Sequence, residues 1–138
     1  NLENKVDSNE IRVTAGHDAY LENYGCIHNR SISIDKINNR VVGQDILTQK
    51  SINSKVKYDI RFHLYPGLSA IKTIGGNTLL IQINKNKAML FSSNDKNLKI
   101  EKSIFFGGQK VLDNYCIVIS GIMENNEKKI DWEIIKKL

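Results

Sequence analysis

Between Tyr24 and Leu47 the chain spells out a two-stranded unit that carries charge on the side it should bury. Written as a strand over Tyr24–Asp35, side chains alternate between faces. The row Tyr24, Cys26, His28, Arg30, Ile32, Ile34 ends in two isoleucines, which marks it as core-facing. Lys36-Ile37-Asn38-Asn39 makes a short connection whose asparagines accept positive φ, so Arg40–Leu47 folds back antiparallel. Pairing about this turn sets Ile34 beside Val41, Ile32 beside Gly43 and Arg30 beside Asp45. A guanidinium and a carboxylate thus face each other on the buried side. Either alone would cost several kcal/mol, roughly, and a bidentate pair offsets most of that. The pair is either a structural ion pair or part of a site that grips an acidic ligand.

The period of two recurs along the chain. Glu10–Ala15 alternates around Ile11 and Val13 and delivers Gly16-His17-Asp18 to a bend. In Val56–Tyr65 the apolar row is Val56, Tyr58, Ile60, Phe62 and Leu64, which turns Arg61, His63 and Tyr65 away from the core; Pro66-Gly67 ends the strand. Further strands are predicted over Leu68–Ile74, Thr78–Ile83, Ala88–Ser92, Leu98–Phe106, Asn114–Met123 and Lys129–Ile135, separated by Gly- and Asn-rich turns. Asn1–Asn9 reads as a lead-in or half a strand, Thr48–Lys55 as a polar loop, and Trp132 as a core residue beside Ile130 and Ile134; Asp131–Ile135 has a short helix as its alternative. The expectation is an all-β, antiparallel β-sandwich of about nine to ten strands with little or no helix, one domain over residues 1–138.

With 138 residues, 41% of them apolar and 25% charged, the chain is large enough to bury a core without staples. A net charge of +5 could draw nucleic acid or an anionic polysaccharide, but the lysines are scattered except near Lys128, Lys129, Lys136 and Lys137. Basic residues are not interleaved with aromatics in any nucleic-acid module, so no nucleic-acid partner is expected. No run is long enough to span a bilayer, and no membrane partner is expected. The chain opens at Asn1 with neither a methionine nor an export signal, as a piece of something longer, which leaves periplasm and cytoplasm both open. Cys26 and Cys116 lie in apolar strand patterns and read as packing thiols rather than a bridge. His17, His28 and His63 stand in no HxH or HExxH arrangement, so no metal or other cofactor is expected in this segment.

Several short words occur in order: HDAY at His17 to Tyr20, GCIHNR at Gly25 to Arg30, RFHLYPG at Arg61 to Gly67, KIEKSIFF at Lys99 to Phe106, YCIVISG at Tyr115 to Gly121 and IDWEI at Ile130 to Ile134. Over nearly its whole length the chain resembles the C-terminal part of the heparinase II/III-like family of polysaccharide lyases. It departs from the family's usual words at Ala19, where HDGY has glycine, and at Tyr65, where HLHP has histidine. The resemblance implies a parent that cleaves acidic, uronate-containing glycans by β-elimination. It also implies an N-terminal α-helical toroid carrying the catalytic Tyr, and upstream words of the form HxHxD and AHNT for histidine and metal binding.

None of those upstream words occurs here, so no catalytic residue is assigned to this segment, which is expected to support the fold and the cleft. The substrate-binding candidates are His17, Tyr20, Arg61 and His63, with Arg30 and Asp45 as the buried polar pair. His17 and Asp18 read either as a turn, with the aspartate capping a backbone N–H, or as substrate-facing, and His28 as a satisfied core histidine. The expected partners are an acidic polysaccharide and the toroid of the same protein. The other readings are a non-catalytic module binding an anionic polysaccharide through Arg61, His63 and Lys57, and a structural β-sandwich module.

Overall fold

A computed structural model describes residues 2–50, 55–108 and 110–137. Eleven strands and one helical turn follow in order: β1 (Leu2–Val6), β2 (Glu10–His17), α1 (Leu21–Tyr24), β3 (Cys26–Asp35), β4 (Arg40–Gln49), β5 (Lys57–His63), β6 (Ser69–Lys72), β7 (Thr78–Asn84), β8 (Lys87–Ser93), β9 (Leu98–Gly107), β10 (Lys110–Ile122) and β11 (Glu127–Lys137). Among the described residues they form two antiparallel sheets. One has eight strands in the order β1-β2-β3-β4-β11-β8-β7-β6, and the other three in the order β5-β10-β9. The all-β sandwich expected from the alternation is the fold.

The register of the β3–β4 hairpin is the expected one, with Ile34 opposite Val41, Ile32 opposite Gly43 and Arg30 opposite Asp45. Asn39 takes the positive φ, 50°, in the connection. Asp35 closes it by accepting from the Asn38 side chain and backbone N–H and from Arg40 Nε, bonds that hold its carboxyl down at about 2. β11 pairs on the far side of β4, so β4 runs through the middle of the larger sheet. The closing segment is therefore strand rather than helix. Of the expected polar loop Thr48–Lys55, Thr48 and Gln49 belong to β4, and residues 51–54 lie outside the described residues.

The smaller sheet lies over one half of the larger. Ile60, Ile117, Ile119 and Leu98 from it pack against Leu79, Phe91, Ile130 and Trp132 in one core. Phe62 meets Phe91 and Trp132 edge to face, each with ring centroids 4.9 Å apart. On the outer side of the three-stranded sheet, Arg61, His63 and Tyr65 point outward as the alternation requires.

Two expectations need correction. Tyr24 is not in a strand: Leu21–Tyr24 forms a helical turn, ended by Gly25 at φ 64°, whose N–H donates to the Leu21 carbonyl. A glycine in the left-handed region is a helix stop, and here it separates the turn from β3. Ile32 and Ile34 share a face with Asp45 and Trp132, yet they remain 37% and 45% exposed. The alternation named the face correctly; the smaller sheet covers β3 only around Cys26–Arg30 and stops short of its far end, so Val13, Ile32 and Ile34 end uncovered.

Gly43 shows how tightly the covered half is packed. A Cβ added there would fall inside the indole of Trp132, its register partner on β11. Gly43→Ala should force the indole off its site and lower stability by roughly 1–3 kcal/mol, the usual penalty of overpacking. Urea denaturation followed by Trp132 fluorescence would measure both the loss and the ring's displacement.

Candidate functional site

Asp45 has no exposed surface. It is the acceptor in four hydrogen bonds: from His28 Nε2 (2.6 Å) and Arg30 Nε (2.7 Å) to Oδ1, and from Trp132 Nε1 (2.8 Å) and Arg30 Nη2 (3.1 Å) to Oδ2. Burial by itself would push its carboxyl up. The bonds from His28 and Arg30, the Arg30 charge and the Trp132 N–H outweigh it and hold the group below its ordinary value. Arg30 also lies over two aromatic faces, 5.1 Å from the Phe62 centroid and 5.9 Å from that of Trp132. His28 is the satisfied histidine that the alternation implied, and its partner is Asp45.

From Asp45 the chain of polar contacts leads outward. His28 Nδ1 lies 3.3 Å from Nε2 of His17, its register partner on β2. The exposed His17 ring meets Tyr20 edge to face at 5.0 Å, and Tyr20 meets Tyr24 at 6.4 Å. The helical turn is what puts both tyrosines there, by reversing the chain between β2 and β3. Asp18 contributes its backbone carbonyl, which accepts from Leu21 N–H, and the turn has no side-chain cap. The expected aspartate cap is replaced by this backbone bond.

These groups line a cavity of about 570 Å³ between the two sheets, in the range of small-ligand sites. Its walls include His17, Tyr20, Tyr24, His28 and Arg30 from the larger sheet and its turn, and Lys57 from β5. Of the four sequence candidates, His17 and Tyr20 come together at the mouth. Arg61 reaches the rim, but its guanidinium is taken by Asp59 and Glu101, each at 2.9 Å. His63 stands on the outer face of the three-stranded sheet, with Nδ1 3.2 Å from Ser103 Oγ. The alternation did not disclose Tyr24 or Lys57 as wall residues, because both depend on how β5 and α1 sit across the gap. The signal available for Tyr24 was Gly25, a helix stop at the end of Tyr20–Tyr24.

Cys26 and Cys116 are buried free thiols on different sheets, and Cys26 Sγ contacts Met123 Sδ at 3.9 Å. Among the described residues no group of three or more His, Cys, Asp or Glu is placed to hold a metal ion, and no helix is long and apolar enough to cross a membrane.

Asp45→Ala strands Arg30, His28 and the Trp132 N–H together. It should cost on the order of 3 kcal/mol, the low end for a broken buried pair because Arg30 keeps 30% exposure. The sign with pH follows from the lowered carboxyl. Its contribution is full above the ordinary value of 3.8 and is lost as pH falls through the lower value of the folded state. Urea midpoints measured from neutral into acid should therefore fall less steeply for Asp45→Asn than for the wild type.

Comparison with known proteins places this geometry. The family model described as "Heparinase II/III-like, C-terminal" matches residues 1–133. The heparan sulfate lyase HepC from Pedobacter heparinus has the same fold at a TM-score of 0.77 and 11% identity, over 98% of this chain and 21% of that one. A mutant of that lyase gives the same figures. The heparinase III BT4657 gene product with methylated lysines matches at a TM-score of 0.73 and 12% identity, over 99% of this chain and 21% of that one. No curated protein matches. The chain thus spans about a fifth of the length of the solved structures it resembles. The matched region takes in the whole β3–β4 hairpin and the closing strand as far as Glu133, and the chain belongs to the heparinase II/III-like family.

Proposed function

We propose that this chain is the C-terminal β-domain of a lyase that cleaves acidic, uronate-containing glycans by β-elimination, and that it walls the substrate cleft without supplying the base. Elimination from a uronate needs a base for the C5 proton, a group that neutralises the carboxylate and an acid for the leaving oxygen. By the family resemblance, an N-terminal helical toroid contributes the catalytic Tyr, and upstream words contribute histidine and metal ligands. No step of this reading passes through a metal held by the described residues.

The observation that carries the reading is the cavity between the sheets, where His17, Tyr20, Tyr24, Arg30 and Lys57 converge. Aromatic ring faces suit the C–H faces of a pyranose, and cationic groups suit its carboxylate. The solved relatives named for heparan sulfate or heparin cleavage support an acidic glycan as the polymer. A module that binds such a glycan without belonging to a catalytic cleft uses the same cavity. Arg61 adds less to it than its position suggests, because two carboxylates already offset its charge.

Incubated alone with heparan sulfate, the chain should release no ultraviolet-absorbing unsaturated uronate. It should be retained on a heparan sulfate matrix, with retention weakened several-fold, roughly, by Tyr20→Ala. Release of the unsaturated product by the chain alone would overturn the non-catalytic assignment, and a lack of retention would favour a purely structural domain.

A further inference from the structure

Resting on the acidic-glycan reading, we propose that His17 and His28 act as one proton-accepting unit anchored on Asp45, and that the charge they gain recruits a uronate carboxylate to the cavity. His17 touches the ligand, and His28 and Asp45 are positioning residues.

The hydrogen-bond order dictates the tautomers. Asp45 is ionised and accepts at both oxygens, so His28 Nε2 must donate to it at 2.6 Å. Nδ1 of a neutral His28 is then a bare lone pair. The 3.3 Å contact therefore runs from His17 Nε2–H to His28 Nδ1. His17 is left with an unprotonated Nδ1 on an exposed ring at the cavity mouth. When His17 Nδ1 takes up a proton, its Nε2 proton can pass to His28 Nδ1. His28 becomes an imidazolium whose Nε2–H still rests on the Asp45 carboxylate. One proton enters from solvent, one positive charge results, and no bond other than N–H is made or broken.

The surroundings make that charge the variable one. On the larger sheet Arg30 is paired with Asp45. On β5, Arg61 is paired with Asp59 and also with Glu101, and burial holds Tyr58 in its phenol form. Asp18 follows His17 in the chain, and among the described residues the cavity cation Lys57 forms no ion pair with a carboxylate. A uronate therefore meets one lysine when the histidine pair is neutral, and gains a second, internally braced cation when the pair is protonated. Histidine is the side chain that changes charge close to neutral pH, so ligand and proton are linked there.

Isothermal titration of D-glucuronate into the chain at about pH 6 and about pH 8 tests this. Binding should be roughly tenfold tighter at the lower pH, and the heat in buffers of different ionisation enthalpy should report proton uptake on binding. His17→Gln should flatten the pH dependence, read as the ratio of the affinities at the two pH values rather than as either affinity alone. Ring-nitrogen NMR of the unliganded chain near pH 8 should find the proton of His28 on Nε2 and Nδ1 of His17 bare. Absence of glucuronate binding at the lower pH, affinity that does not change with pH, a pH dependence that survives in His17→Gln, or the opposite tautomer on His28 would each overturn the proposal. None of these outcomes bears on whether a longer protein containing this domain eliminates across a uronate, which the ultraviolet assay reads separately.

Discussion

A carboxylate without exposed surface has to be enclosed by donors, and at Asp45 they arrive from the strands on either side of β4. His28 and Arg30 come from β3, and Trp132 comes from β11. Because strand side chains alternate, a slip of one residue in either pairing would turn Asp45 or its donors onto the polar outer face. The ionised group therefore specifies the register of three neighbouring strands, a task that interchangeable isoleucines and valines perform poorly. The same donors join the two sheets, since Arg30 and Trp132 press against Phe62 from the smaller one.

From that anchor the polar path runs outward without interruption. Asp45 holds His28, His28 meets His17, and His17 meets Tyr20 at the rim of the inter-sheet cavity. The cavity exists because the sandwich is uneven, with eight strands in one layer and three in the other. At the border of the covered area, β5 is an edge strand, and the gap beside it stays open. The opposite face of the larger sheet is laced by small polar pairs such as Thr14 with Ser31, Gln44 with Asp131 and Ser92 with Glu133, as a solvated sheet surface requires.

Much of the fold was legible because period-two alternation is a local signal. The hairpin register could be counted outward from Lys36–Asn39, and it placed Arg30 against Asp45 with no knowledge of what covers them. His17 and Tyr20 stand out through the word HDAY, which belongs to the family resemblance rather than to the alternation. Arg61 was legible as an outward-facing cation, but its two carboxylate partners were not: Asp59 is two residues away on its own strand, and Glu101 lies across the sheet on β9. Tyr24 was assigned to a strand because its place in the alternation outweighed the helix stop at Gly25.

The sequence alone determined the register of the β3–β4 hairpin, the face its side chains take and the meeting of Arg30 with Asp45 inside, since these follow from turn chemistry and from the cost of burying an unpaired ion. Only the tertiary structure decided how far the second sheet reaches. That extent leaves Ile32 and Ile34 bare while Phe91 and Leu79, on the same face, are sealed. Coverage depends on where β5, β9 and β10 dock, a long-range packing choice that no residue on β3 records, and the same choice opens the cavity at His17.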